Sequence, residues 1–209
     1  MRDLSDKVYE QLKADLMNER FALDELINEQ TLVEKYGVSR TPVREAAMRL
    51  VHEGYLNKFP KKGYTVRCVG EEELAEIETC RYILESGVID LIIAHASDEE
   101  IRDLLSYMQE KIDPDSSAVL RGGQFHLNMV KLTGNKHLEA MLTNLLYMST
   151  RPAATSQRRR LDNYRSMAVK EDFQDAEHVE IVQALLERDA DKAKEILRRD
   201  ISNIMPFAV

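Results

Sequence analysis

Gly37-Val38-Ser39-Arg40-Thr41-Pro42-Val43-Arg44-Glu45-Ala46-Ala47-Met48-Arg49-Leu50-Val51 is the stretch whose reading decides the fold. Gly37 tolerates a positive φ and so can end a preceding helix. Ser39 or Thr41 can cap the next one, and Pro42 is tolerated only in a first turn. Val43, Ala46, Ala47, Leu50 and Val51 then follow i, i+3, i+4, i+7 spacing and give one apolar face. Arg40 sits at the N-terminal tip, while Thr41, Arg44, Glu45 and Met48 point elsewhere. Arginines and hydroxyls in a first turn suit insertion into a DNA major groove. A capped surface helix with solvated arginines is the plainer alternative.

Outward from this stretch, residues 5–20 predict a first helix with Ser5 as N-cap and Val8, Tyr9, Leu12 and Leu16 turned inward. Residues 21–27 read as a connecting loop. Asn28 can cap a second helix, Glu29 to Tyr36, with Leu32, Val33 and Tyr36 buried. Beyond Gly54, Tyr55–Phe59 and Tyr64–Val66 are short β-prone runs joined by Pro60-Lys61-Lys62-Gly63, a turn carrying two lysines. Three helices and a basic hairpin predict a winged helix-turn-helix over residues 1–70, its wing lying over a minor groove or along the backbone. From residue 71 the strand signal ends. Helical segments are expected near 71–95, 98–111, 116–133, 136–150, 161–170, 172–188 and 190–205, with a loop over 151–160. The fold class is therefore mainly α: an N-terminal winged helix-turn-helix with a small β-hairpin wing, and a C-terminal all-α helical bundle over 71–209.

Composition agrees. Eight glycines, five prolines and no tryptophan in 209 residues, 44% of them hydrophobic, favour a helical chain with a sizeable core. Cys68 and Cys80 lack CxxC spacing and read as reduced thiols. The longest apolar run, Gly87 to Ala96, is interrupted by Asp90, and no signal peptide is recognisable, so a cytoplasmic protein without membrane contact is expected. Net charge is −8, which argues against indiscriminate nucleic-acid binding. The charge is unevenly placed, however: residues 35–67 hold 8 basic and 2 acidic residues. That local field is what phosphate contact requires.

In the helical region four polar residues fall on apolar faces. Arg81 lies in a seam with Leu74, Ile77, Leu84, Val88 and Leu91. A buried arginine needs a partner, either Glu85 one turn on or a ligand carboxylate. His126 sits beside Leu127, Met129 and Val130; His178 shares a face with Ile181, Val182 and Leu185; Asp200 shares one with Ala193, Ile196, Leu197 and Ile204. One inward histidine is ordinary core chemistry. Two histidines and an aspartate on separate helices make a candidate metal site. His52, His95 and His137 have no partner at informative spacing.

Ser39-Arg40-Thr41-Pro42-Val43-Arg44-Glu45-Ala46, with Arg49-Leu50, Glu53-Gly54-Tyr55-Leu56 and Lys62-Gly63-Tyr64, resembles the DNA-binding domain of GntR-type bacterial transcription regulators. The remainder resembles the FCD effector domain of their FadR-type subgroup, through Arg81-xxx-Glu85, Phe125-His126, Gly134-Asn135-xx-Leu138, Glu177-His178-xx-Ile181-xx-Ala184-Leu185 and Asp189-xxx-Ala193. The resemblance implies DNA contacts from Ser39, Arg40 and Arg44, with Lys62 and Gly63 at the wing tip; Thr41, a hydroxyl in the same first turn, is a further candidate from the residues themselves. Gln30 stands where relatives often place a basic residue. It implies a dimerising, effector-binding domain over 71–209, with Arg81 on an effector carboxylate and Glu85, His126 and His178 lining the site. It also implies a divalent metal bound by an Asp, a His four residues later and two more His. Here Gly122 replaces that Asp and Asp200 the last His, leaving His126, His178 and Asp200, with zinc expected first and nickel or manganese as alternatives.

The function expected is that of a ligand-responsive transcription regulator, a repressor by family habit. It would bind a double-stranded DNA operator as a homodimer and respond to a small organic acid. Two alternatives stand beside it: a metal-dependent hydrolase of the helical domain, and a family member that binds DNA without an effector. The sequence offers the hydrolase no HExxH motif and no explanation for the basic wing.

Overall fold

A computed structural model describes the backbone of residues 3–18, 20–23, 25–106, 118–151 and 176–204, and their side chains except at 118–122, 203 and 204. The chain divides into two compact units, Met1–Cys68 and Val69–Val209.

The first unit begins with α1 (Leu4–Met17). Its cap is Asp3, whose Oδ1 accepts the Leu4 N–H at 2.6 Å, and not Ser5, which is buried inside the first turn. Val8, Tyr9, Leu12 and Leu16 form the buried stripe as expected, and α1 packs on α3 (Arg40–His52). Between them runs α2 (Glu29–Tyr36). Asn28 Oδ1 accepts the Thr31 N–H at 2.8 Å, and Gly37 ends the helix at φ 66°. Leu32 alone of its apolar residues is fully buried; Val33 and Tyr36 lie half-buried, and the Tyr36 hydroxyl donates to Asp15 at 2.8 Å. Ser39 occupies the cap position of α3 without a side-chain bond. Pro42, the third helical residue, has no N–H to offer it.

The wing is the antiparallel pair β1 (Leu56–Phe59) and β2 (Gly63–Val66), in register Leu56↔Val66 to Phe59↔Gly63. The expected 21–27 loop proves to be more than a connection. Ile27 exchanges two backbone hydrogen bonds with Tyr64, each 2.8 Å, and so extends the wing by one bridge. This bridge explains Gly63, whose φ is 133°. A Cβ there would lie 2.3 Å from the Ile27 carbonyl oxygen. Close approach of the chain's own backbone therefore requires this glycine, apart from any part it takes at the wing tip.

The second unit is helical among its described residues. Its centre is α4 (Glu71–His95), which contacts α6 (Ala118–Leu132), α7 (Lys136–Ser149), α8 (Ala176–Leu186) and α9 (Ala190–Ile204). The short α5 (Asp98–Asp103) starts on a Ser97–Glu100 capping box. Val88, Ile89, Ile92, Phe125, Leu142, Ile181, Leu197 and Ile201 belong to one core. Leu91, expected in the α4 seam, is 39% exposed; Glu78, Glu85, Ile89 and Ile92 take the inward positions. Arg151, expected at the start of a loop, is buried with its guanidinium 4.8 Å over the Tyr147 ring. The helix expected near 161–170, the loop over 152–160 and the stretches 107–111 and 172–175 lie outside the described residues. Among those described, no helix is long and apolar enough to cross a membrane.

Gly63→Ala is expected to destabilise the protein by about 1–3 kcal/mol, because positive φ and collision with Ile27 act together. Gly37→Ala meets open space and bears only the φ cost, about 1 kcal/mol or less. Urea unfolding of both variants checks this; equal losses would remove the Ile27 contact as a cause.

Candidate functional site

Two polar surfaces stand out, one in each unit. In the first, α2 and α3 present their starts side by side. Ser39, Arg40, Thr41 and Arg44 are all exposed, as are Gln30 and Lys62. None of these side chains packs into the core, whose α3 contribution is Pro42, Val43, Ala46, Ala47 and Leu50. Two pairs join the helices. Arg40 Nη2 donates to Gln30 Oε1 at 3.2 Å, and Arg44 Nε and Nη2 donate to the two Glu29 carboxylate oxygens at 2.9 and 2.8 Å. The Arg44 hydrogen bonds hold the Glu29 pKa below its ordinary value, and Glu29 raises that of Arg44 in return. Sequence reasoning missed Glu29, since its partner lies fifteen residues away. It also passed over Lys61, at the wing apex with φ 63°, for which the Pro60-Lys61-Lys62-Gly63 turn was the available signal.

The second surface is interior. Arg81, 3% exposed, donates from Nη1 to Glu78 at 2.9 Å and from Nε to Glu85 at 3.2 Å. The expected pairing with Glu85 is thus present, and Glu78, which the sequence did not single out, is added. The second Glu85 oxygen meets His126 Nδ1 at 2.5 Å. His126 Nε2 lies 3.3 Å from Asp200 Oδ2, and His178 Nε2 lies 3.6 Å from Asp200 Oδ1. The His178 ring stacks on Phe125, centroids 4.2 Å apart. Helices α4, α6, α8 and α9 each contribute, and Gly122 stands in α6 one turn before His126.

Burial sets the electrostatics. It would lower the His126 pKa, but the Glu85 and Asp200 carboxylates outweigh it and raise the value to about 9. For His178 burial wins: it outweighs the pull of Asp200, the positive charge on His126 adds to it, and the value falls to about 4, which leaves the ring neutral. Burial opposes the charge on Asp200, yet the hydrogen bond to His126 and the nearby positive charges bring its pKa to about 2. Glu85 is likewise held low by His126 and Arg81 against its burial. Glu78 goes the other way: burial raises its pKa, and its Oε1 has no hydrogen-bond partner among the described residues.

His126, His178 and Asp200 offer ligand atoms that all lie within 4.8 Å of one another. The two histidines approach different oxygens of Asp200, at 3.3 and 3.6 Å, and both distances are near the roughly 3.3 Å expected between donors on a tetrahedral centre with bonds near 2 Å. Glu85 on Nδ1 fixes the tautomer that turns Nε2 towards Asp200, the usual outer support of a metal-binding histidine. The donor set therefore fits a divalent metal.

Comparison with known proteins matches residues 4–66 to the family model "Bacterial regulatory proteins, gntR family" and residues 76–203 to the FCD domain. The HTH-type transcriptional repressor GlaR of Escherichia coli (strain K12) is 30% identical, over 95% of this chain and 93% of its own length. The HTH-type transcriptional regulator YdhC of Bacillus subtilis (strain 168) is 30% identical over 66% of the chain, a match spanning 64% of that protein's length. The structure of E. coli McbR/YncC superposes with a TM-score of 0.70 at 21% identity, covering 97% of this chain and 95% of that one, and so shares its fold.

The two histidines make stability depend on pH in opposite directions. An unfolded His178 takes up a proton near 6.5 and the folded one only near 4, so stability falls as pH drops between those values. His126 stays protonated to about 9 in the fold; its contribution is complete below 6.5 and is lost as pH rises through 9. Thermal unfolding in chelator is expected to peak near pH 6.5. His178→Gln should flatten the acid limb and spare the alkaline one; an unaltered acid limb would refute the assignment.

Proposed function

Because the chain belongs to the gntR family of bacterial regulatory proteins and carries an FCD domain, we propose that this DNA-binding transcription regulator is a cytoplasmic repressor, acting as a homodimer on a pseudo-palindromic operator and released by a small organic acid. The observation that carries the reading is the exposed tip of α3, where Arg40 and Arg44 stand clear of the core. Arginine in a first helical turn can donate two parallel hydrogen bonds to guanine or to phosphate. Ser39, Thr41 and Gln30 supply shorter polar contacts around it, and Lys62 supplies charge along the backbone.

In the helical unit His126, His178 and Asp200 would hold the divalent metal, with zinc the first choice for a nitrogen and oxygen donor set and nickel or manganese the alternatives. A divalent cation held there would supply a Lewis-acidic centre able to attract effector oxygens. Arg81 provides the fixed positive charge alongside, and Glu85 orients His126. Effector control needs a difference in affinity between two arrangements of the protein, which is what this charge cluster can respond to. The names of the relatives are those of transcription regulators, which weighs against a hydrolase. Effector-independent binding draws support from one observation: Arg81 already carries two carboxylates of its own chain.

Arg44→Ala should weaken operator binding by about 1–3 kcal/mol and leave the unfolding midpoint unchanged, as an exposed pair contributes little stability. Mobility-shift titration reads the affinity; an unaltered value across a salt series would count against the role of α3. Zinc binding must displace the His126 proton, so zinc affinity is expected to rise about tenfold per pH unit up to pH 9. Titration with a competing chelator measures it. A pH-independent affinity, or no binding, would favour the effector-independent reading.

A further inference from the structure

The pair between α2 and α3 has a geometry that a simple surface ion pair does not need. Glu29 grips Arg44 side-on, through Nε and Nη2, with both contacts under 3 Å. Yet the Arg44 side chain remains 62% exposed. A guanidinium has five N–H groups in a rigid fork. Side-on pairing uses two and leaves three: both on Nη1 and one on Nη2. The free Nη1–Nη2 edge is the flat pair of donors that matches O6 and N7 of guanine.

An exposed ion pair adds little to stability, so stability is a weak reason for this one. Electrostatics makes Glu29 costly, for it lies in the field of Arg40 and Lys58 as well as Arg44, where it opposes the attraction of phosphate. What the pair does provide is orientation. A long side chain held in one plane loses less freedom when it meets a base.

We propose that Glu29 is a positioning residue: it fixes Arg44 side-on so that the end-on edge of Arg44 reads one guanine, lowering general DNA affinity while raising base discrimination. This rests on α3 being the major-groove helix.

The test is selection from a library of randomised duplexes by the full-length protein, comparing the parent with Glu29→Gln, Glu29→Asp, Arg44→Ala and Glu29→Gln/Arg44→Ala. Arg44→Ala should lose the preference for one guanine per half-site by about 5- to 150-fold. Glu29→Gln should lower the preference for that same guanine by about fivefold or more and bind unselected duplex more tightly than the parent. Glu29→Asp keeps the charge but not the reach; it should lose preference without that gain. The double variant should be no worse than Arg44→Ala at this position. Equal unfolding midpoints check that each variant folds. A Glu29→Gln protein that keeps its guanine preference overturns the proposal, whatever happens to its affinity. So does an Arg44→Ala protein weakened equally on all sequences with a shallower salt slope, which would make Arg44 a phosphate contact. A parent with a flat selection profile would instead overturn the reading of α3 itself.

Discussion

The buried guanidinium of Arg81 is the constraint to which the helical unit conforms. Arginine cannot shed its proton, so a dry position obliges the chain to surround it with carboxylates. Glu78 and Glu85 do so from the same helix, three residues before and four after. Glu85 then has a second oxygen to satisfy and reaches His126, which in turn meets Asp200, with His178 beside it. A single chain of charge thereby ties α4 to α6, α8 and α9. The apolar side chains around it are non-directional and would accept several registers. The polar chain accepts few, because each group left unmatched would be an uncompensated buried charge.

The same chain of charge makes the site chemically versatile. Positive charge between Glu85 and Asp200 comes from the proton on His126. A divalent ion on His126, His178 and Asp200 would replace it, with Glu85 still holding Nδ1. Proton and metal would thus compete for one place, and conditions that favour one would disfavour the other. Asp200 in particular suits both states, since it can accept from an imidazolium or ligate a cation.

The sequence discloses features whose signals are local and hides those that depend on packing. Asn28, Gly37 and Pro42 mark where helices begin and end, and the winged helix-turn-helix follows from them. His126, His178 and Asp200 are conspicuous because a polar residue on an apolar face has to be accounted for, and the fold brings their ligand atoms together. Glu85 is legible as the partner of Arg81 one turn on, but Glu78 is not: a second inward carboxylate on α4 makes sense only once Arg81 is fully buried, and Leu91, placed inward by periodicity, is left exposed. The link from Glu85 to His126 spans 41 residues and two helices. Glu29 with Arg44, and Ile27 with Tyr64, are likewise long-range pairs without a local signature. Gly63 is visible as a turn glycine, but the backbone that demands it is not.

The Ile27–Tyr64 bridge also bears on how the first unit measures DNA. It fastens the hairpin to the segment that leads directly into α2, and α2 is joined through Gly37 to α3. On a duplex, hairpin and helices would therefore move together, like the two arms of a caliper held at one opening. Such a unit would span a footprint of constant length, and if two copies read one operator, any tolerance for wider or narrower gaps between half-sites would have to arise outside this unit.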